Sequence, residues 1–247
     1  MMRANLNIIW SNVTTDLNFK GGVHSRALTV LRSPRARQMR LAIDPRDGSI
    51  RLTLPRRAQV DHALRWAETK RGWIEAQLAR LPTATPIVNG MLFDVAGETL
   101  RLDWSADHPR TPARIGGHLQ IGGPADRLET RLLRWLKDEA RSLFDAETQE
   151  FSNKIGVIVP PISIGDPVSR WGSCSASGSI RYSWRLILAP SFVRRATIAH
   201  EVAHRVHMNH SPQFHALVKI VLGDDPAPSR KWLRENGSAL HWFCRST

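Results

Sequence analysis

Five of the ten histidines in this 247-residue chain fall between residues 200 and 215, and the first two belong to His200-Glu201-Val202-Ala203-His204, an HExxH pattern. On a helix, side chains four residues apart lie about 40° from each other on one face, one turn displaced. Two imidazoles so placed can share one Zn²⁺. Glu201 beside them is suited to take a proton from a metal-activated water rather than to bind the metal. A hydrolytic site of this kind needs a third protein ligand and an open fourth position. His210 is the leading candidate, because Asn209 tolerates the left-handed conformation that ends a helix and lets the chain turn back. Its interval from His204 matches HExxHxxGxxH, without the turn glycine of that pattern. His207 points away from the His200 direction, and His215 falls later, inside a second helical segment. Asp224, Asp225 or Glu235 could instead complete a His₂-carboxylate site. Spacing alone leaves these alternatives open.

The elements that must position these residues can be read from periodicity. Ile198, Ala199, Val202, Ala203 and Val206 give the HExxH helix an apolar opposite face, and Pro190–Ser191 opens it with Ser191 as N-cap. Ahead of it, ISIGDPVSRWGSCSASGSIRYSWRLILAP (162–190) is a strand region whose hairpin turns at Ala176–Gly178. Trp171, Ile180, Trp184, Leu186 and Leu188 are its expected core, with Cys174 a small buried residue. Leu128, Leu132, Leu136, Ala140 and Phe144 recur every four residues and predict a long amphipathic helix. A last helix is expected from near Ser229 to Asn236–Gly237, a natural stop.

The first half reads differently. Residues 1–22 match no periodic pattern and form an expected loose leader. ALTVLR, MRLAID and SIRLTLP are strand-like, with a hairpin at Asp47–Gly48, and one helix is expected over 58–80. Short strands return over 91–121, and Gly122–Gly123–Pro124 marks a boundary. The expected organisation is a β-rich region over 23–124 with one helix, then a domain over 125–247, in an α+β fold.

Composition narrows the function classes. With 35 Lys+Arg against 22 Asp+Glu, the net charge of +13 favours anionic partners. Two cysteines exclude a disulfide-rich scaffold and a Cys-only zinc site. No window has the roughly 20 apolar residues of a membrane span, and no apolar signal region opens the chain. The expectation is a cytoplasmic protein with reduced thiols and no membrane partner.

RWGSCSASGSIRYSWRLILAP (170–190) followed by HEVAHRVHMNHSPQF (200–214) resembles the YgjP-like metal-dependent hydrolases, relatives of the SprT-like and WLM metallopeptidases in the zincin group. RSPRARQMRLAIDPRDGSIRLTLP (32–55) and RKWLRENGSAL (230–240) extend the likeness over about residues 26–243. The resemblance implies a minimal zincin-like domain, one Zn²⁺ per chain, His200, His204 and His210 as ligands and Glu201 as general base. It implies a metallopeptidase, and a nucleoside-triphosphate (UTP) pyrophosphatase activity is also attached to the family. Ala196, Arg205 and His215 depart from the residues common at those positions.

In such a site the RWGSC strand would line the cleft, and Arg170 or Arg181 could hold a carboxylate or phosphate of the substrate by a bidentate contact. The partner expected is therefore an anionic peptide, protein or nucleotide. The arginines of segment 26–57 could contact a phosphate backbone, but no RNA-binding signature accompanies them, and nucleic acid is the less favoured partner. A nucleic-acid module with structural zinc is a further alternative; it would need four protein ligands.

Overall fold

Alternating apolar residues in ALTVLR and SIRLTLP put Leu28, Val30, Ile50, Leu52 and Leu54 on one face of a sheet, and all are buried. In the computed structural model, which describes residues 13–21, 24–167 and 169–244, these strands belong to the first of two units that divide between Thr83 and Ala84. Its strands β1 (Val13–Gly21), β2 (His24–Ser33), β3 (Arg40–Ile43) and β4 (Ile50–Pro55) lie in the order β1-β2-β4-β3. β2 and β4 run parallel, and β3–β4 is the expected hairpin, with Gly48 at φ +68° in its turn.

Two expectations for this unit are corrected. Residues 13–21, assigned to a loose leader, form β1 against β2, and Phe19 is fully buried; residues 1–12 lie outside the described residues. The single helix over 58–80 is two, α1 (Val60–Thr69) and α2 (Arg71–Leu78). The Thr69 hydroxyl donates back to the Trp66 carbonyl at 2.7 Å, and Lys70 (φ −99°, ψ 7°) breaks the helical path. Ile74 and Leu78 still reach the core, while Trp73 is left 49% exposed.

In the second unit β5 (Leu92–Val95), β6 (Glu98–Trp104), β7 (Ala113–Ile115) and β8 (His118–Ile121) form a sheet in the order β5-β6-β8-β7. Phe93, Val95, Leu100, Leu102, Leu119 and Ile121 of that sheet share one core with α3 (Leu128–Lys154). The boundary expected at Gly122–Pro124 therefore fails: a sheet face buried against α3 cannot belong to a separate domain. The four-residue repeat of α3 is buried from Leu128 to Phe144 as expected.

After α3 come β9 (Ser163–Gly165), β10 (Gly172–Cys174) and β11 (Ile180–Ser183), then α4 (Ser191–Ala203), α5 (Pro212–Leu222) and α6 (Ala227–Leu240). β10 is an edge strand in the order β10-β11-β9, antiparallel to β11. α6 runs through Gly237 instead of stopping there. A Cβ at Gly237 would stand 3.0 Å from the Trp171 ring, so this glycine serves the close approach of α6 to the strand region. Among the described residues, no helix is long and apolar enough to cross a membrane.

A buried ion pair locks α4 onto α3. Arg194 donates from Nε and Nη2 to the two Glu147 oxygens, both at 3.0 Å, and both side chains are buried. Glu147→Ala leaves the guanidinium buried without its carboxylate, so folding stability should fall by about 3–5 kcal/mol. Denaturant titration checks this; a loss under about 1 kcal/mol would show that water compensates the charge.

Candidate metal centre

α4 carries His200 and Glu201 in its last turn and ends with His204 as its C-cap. Arg205, Val206 and His207 then close turn-type bonds onto Val202 and Ala203. Helix termination therefore falls at His204 and not at Asn209, whose φ is not positive. Val206 consequently lies past the helix and is half exposed, while Ile198, Ala199, Val202 and Ala203 are fully buried. Ser211 starts the next helix: its Oγ accepts from the Phe214 N–H at 3.3 Å, and Pro212 follows at the first helical position. This start fixes His210 immediately before α5.

Three imidazoles converge. His200 Nε2 lies 3.2 Å from His204 Nε2 and 3.1 Å from His210 Nε2, and the three could hold a metal ion. A tetrahedral ion with Zn–N of about 2.0–2.1 Å spaces its nitrogens roughly 3.3 Å apart, close to these separations. His204 Nδ1 lies 3.0 Å from the His207 carbonyl oxygen. A carbonyl only accepts, so Nδ1 carries the proton and Nε2 turns its lone pair to the centre. Burial, then the neighbouring histidines, pushes His200 down to about 4, and burial also lowers His204, so both rings are neutral near pH 7. Neutral imidazoles with lone pairs facing one point are a cation's donor set.

Phe214 forms the floor under this group. Its ring is fully buried, stacks on His204 at 4.4 Å and meets the edges of His200 and His210 at 4.8 and 4.9 Å. The other candidates stay out. His207 contributes its carbonyl, and the His215 ring lies 6.2 Å from that of His210 without joining the cluster. Asp224 and Asp225 accept backbone N–H bonds at the approach to α6, and Glu235 is exposed on that helix.

Glu201 is buried beside the cluster. Burial pushes its carboxyl up to about 7, against the opposing pull of the Arg170 charge and of the Cys174 backbone N–H that donates to it. A Cβ at Gly172 would stand 2.6 Å from Glu201 Oε1, so the glycine of RWGSC makes room for this carboxylate. Arg170, Gly172, Ser173, Cys174, His200, Glu201, His204, Met208 and His210 line a cleft of about 470 Å³. Arg170 lies in it, exposed. Arg181 does not: it sits on β11 with its guanidinium over Gly165, since alternation on the strand turns it away from the side of Tyr182. Cys174 and Cys244 are free thiols, and burial raises both. Arg205 lies over the Gly178 turn of the β10–β11 hairpin and donates to the Ile158 carbonyl at 3.0 Å, so this departure from the common residue acts as a clamp on that hairpin.

The family model of the YgjP-like metallopeptidase domain matches residues 37–236. The chain belongs to this family. The match takes in α3, the RWGSC strand, the HExxH helix and most of α6, narrower at both ends than the 26–243 expected from motifs. No curated protein and no solved structure matches the chain. This YgjP-like domain is thus a metallopeptidase-family fold with a three-histidine cluster that could bind a metal, set in an open cleft. Sequence reasoning missed two contributors, Phe214 and Gly172. The Ser-Pro helix start that places Phe214 three residues after its cap was the available signal for the first; for the second, only the contact with Glu201 tells.

Proposed function

We propose that this protein is a zinc-dependent peptidase with one Zn²⁺ per chain. The observation that carries the reading is the convergence of three imidazole nitrogens beside a buried carboxylate in an open cleft. His200, His204 and His210 would hold the ion through Nε2 and leave one position open. When bound, Zn²⁺ supplies a Lewis acid that makes water acidic near neutral pH and polarises the carbonyl to be attacked. Glu201 accepts the proton released by water and passes it to the leaving amine nitrogen, which restores the carboxylate. The Cys174 N–H orients that carboxylate, and Gly172 leaves it room. Arg170 would bind an anionic group of the substrate.

Arg170 also keeps a second reading in play: a triphosphate would suit the same charge, which supports nucleoside-triphosphate hydrolysis on the same residues. A closed structural zinc site is less well supported, because it needs four protein ligands and the cluster offers three. The test is to chelate the metal, restore Zn²⁺, and assay a diverse peptide library and UTP with the same sample. Peptide cleavage should vanish on chelation and return with zinc. UTP turnover without peptide cleavage would replace the peptidase reading.

A further inference from the structure

Nine arginines lie between Arg26 and Arg57, against two carboxylates, Asp44 and Asp47. The fold sorts them by position. β2 and β4 run parallel and finish together, with Ser33 opposite Pro55, and antiparallel β3 begins at that same end, with Arg40 opposite Thr53. Arg32, Arg35, Arg37, Arg40, Arg56 and Arg57, up to 25 residues apart in sequence, are thereby gathered at one end of the sheet, and all six are exposed. Asp44 and Asp47 sit in the β3–β4 turn at the other end, where Asp44 pairs with Arg46 and Arg51. Among the described residues, none of the six makes an ion pair with a carboxylate; the nearest acids along the chain are Asp44, past the far end of β3, and Asp61 in the first turn of α1.

The cluster is built rather than merely crowded. Tight turns leave both partnered strand ends, with Ala36 N–H bonded to the Ser33 carbonyl at 3.2 Å and Ala58 N–H to the Pro55 carbonyl at 3.1 Å. Arg32 ties them together: its Nη1 donates to the carbonyls of Arg56 and Ala58, both at 2.8 Å. The other five guanidinium groups are displayed around that tie. Like charges held together without counter-charges repel, so the arrangement favours a polyanion that relieves them. All six are arginine, whose planar fork matches phosphate oxygens bidentately. Among the described residues of this unit, the large apolar side chain left exposed is Trp73, on α2 rather than at these strand ends.

We propose that this sheet end binds the phosphate backbone of a polynucleotide without reading its sequence. The inference is independent of the peptidase reading. Phosphate contacts position a protein on the duplex and carry no base information.

The test is binding of the full chain to two labelled DNA duplexes of unrelated sequence between about 50 and 200 mM salt. Both duplexes should bind alike, and log affinity should fall linearly with log salt, by about 0.9 in slope per neutralised phosphate. Five freely displayed arginines allow a slope of up to about −4.5 on that basis. Combined R35A/R37A/R40A should flatten the slope by roughly 2–3, and R56A/R57A by roughly 1–2. A control, R65A/K70A/R80A, removes the same charge from exposed positions on or beside the helices and should leave the slope as it was. Equal flattening by the control would reduce the effect to net charge and overturn the site. So would the absence of DNA retention at about 50 mM salt. Binding to vesicles containing phosphatidylserine, lost in R35A/R37A/R40A while DNA is not retained, would assign the surface to membranes and overturn the proposal as well.

Discussion

Glu201→Gln should keep its zinc and lose about 10²–10⁴-fold in kcat, the usual worth of a positioned general base. The amide has the carboxylate's shape, so it fills the space that Gly172 leaves and can accept the Cys174 N–H, but it cannot take a proton. Stability gives a second readout. In the metal-free protein the carboxyl is raised from 4.5 to about 7, so the native state holds its proton more tightly than the unfolded state does. Stability from this group is therefore highest at low pH and falls as pH rises from about 4.5 to about 7, by at most about 3 kcal/mol. Glu201→Gln should erase that slope. For activity the sign is opposite: the base must be ionised, so kcat/KM should rise with pH on its acid limb. A bound dication draws that limb below 7. Loss of zinc in the variant would make Glu201 a ligand and sink its assignment as the base.

His210→Ala should abolish stoichiometric zinc at micromolar metal. Losing a partner that merely orients a ligand already costs about 10–100-fold in metal affinity, and removing one of three ligands costs more. His207→Ala should bind normally, because His207 contributes its backbone carbonyl, and His215→Ala should also bind normally, since its ring stands outside the cluster. Metal titration of the three variants separates these cases. Full affinity in His210→Ala would move the third ligand to another residue.

What was legible in the chain was what periodicity encodes. The HExxH face, the four-residue stripe of α3 and the alternation of β2 and β4 each rest on several residues that agree, and each is present. What was not legible depends on contacts between distant residues. β1 was missed because its apolar signal is slight, with Phe19 the described side chain it buries completely. Gly237 read as a stop because glycine usually ends helices, whereas here the Trp171 ring needs the space. Asn209 was expected to turn the chain, yet the backbone had already left the helix at His204. Arg170 and Arg181 looked equivalent in sequence; only the strand pairing separates them. The domain boundary was misplaced because a Gly-Gly-Pro turn marks a break in the chain path and not a break in the core.

The ring floor beneath the three histidines bears on which ion the site would choose. Phe214 presses on all three imidazoles while Ser211 and Pro212 fix the helix start that carries it, so the donors are ordered before any ion arrives. An ordered, nitrogen-only set cannot widen into the six-oxygen shell that Mg²⁺ demands or the larger one of Ca²⁺. Discrimination against these abundant ions would thus come from shape and donor type together. Among first-row ions the same donors follow the general affinity series, which places Cu²⁺ above Zn²⁺. Rigidity toward a four-coordinate arrangement would then work against the tetragonal geometry that Cu²⁺ prefers, so an aromatic ring outside the donor set would take part in selecting the ion.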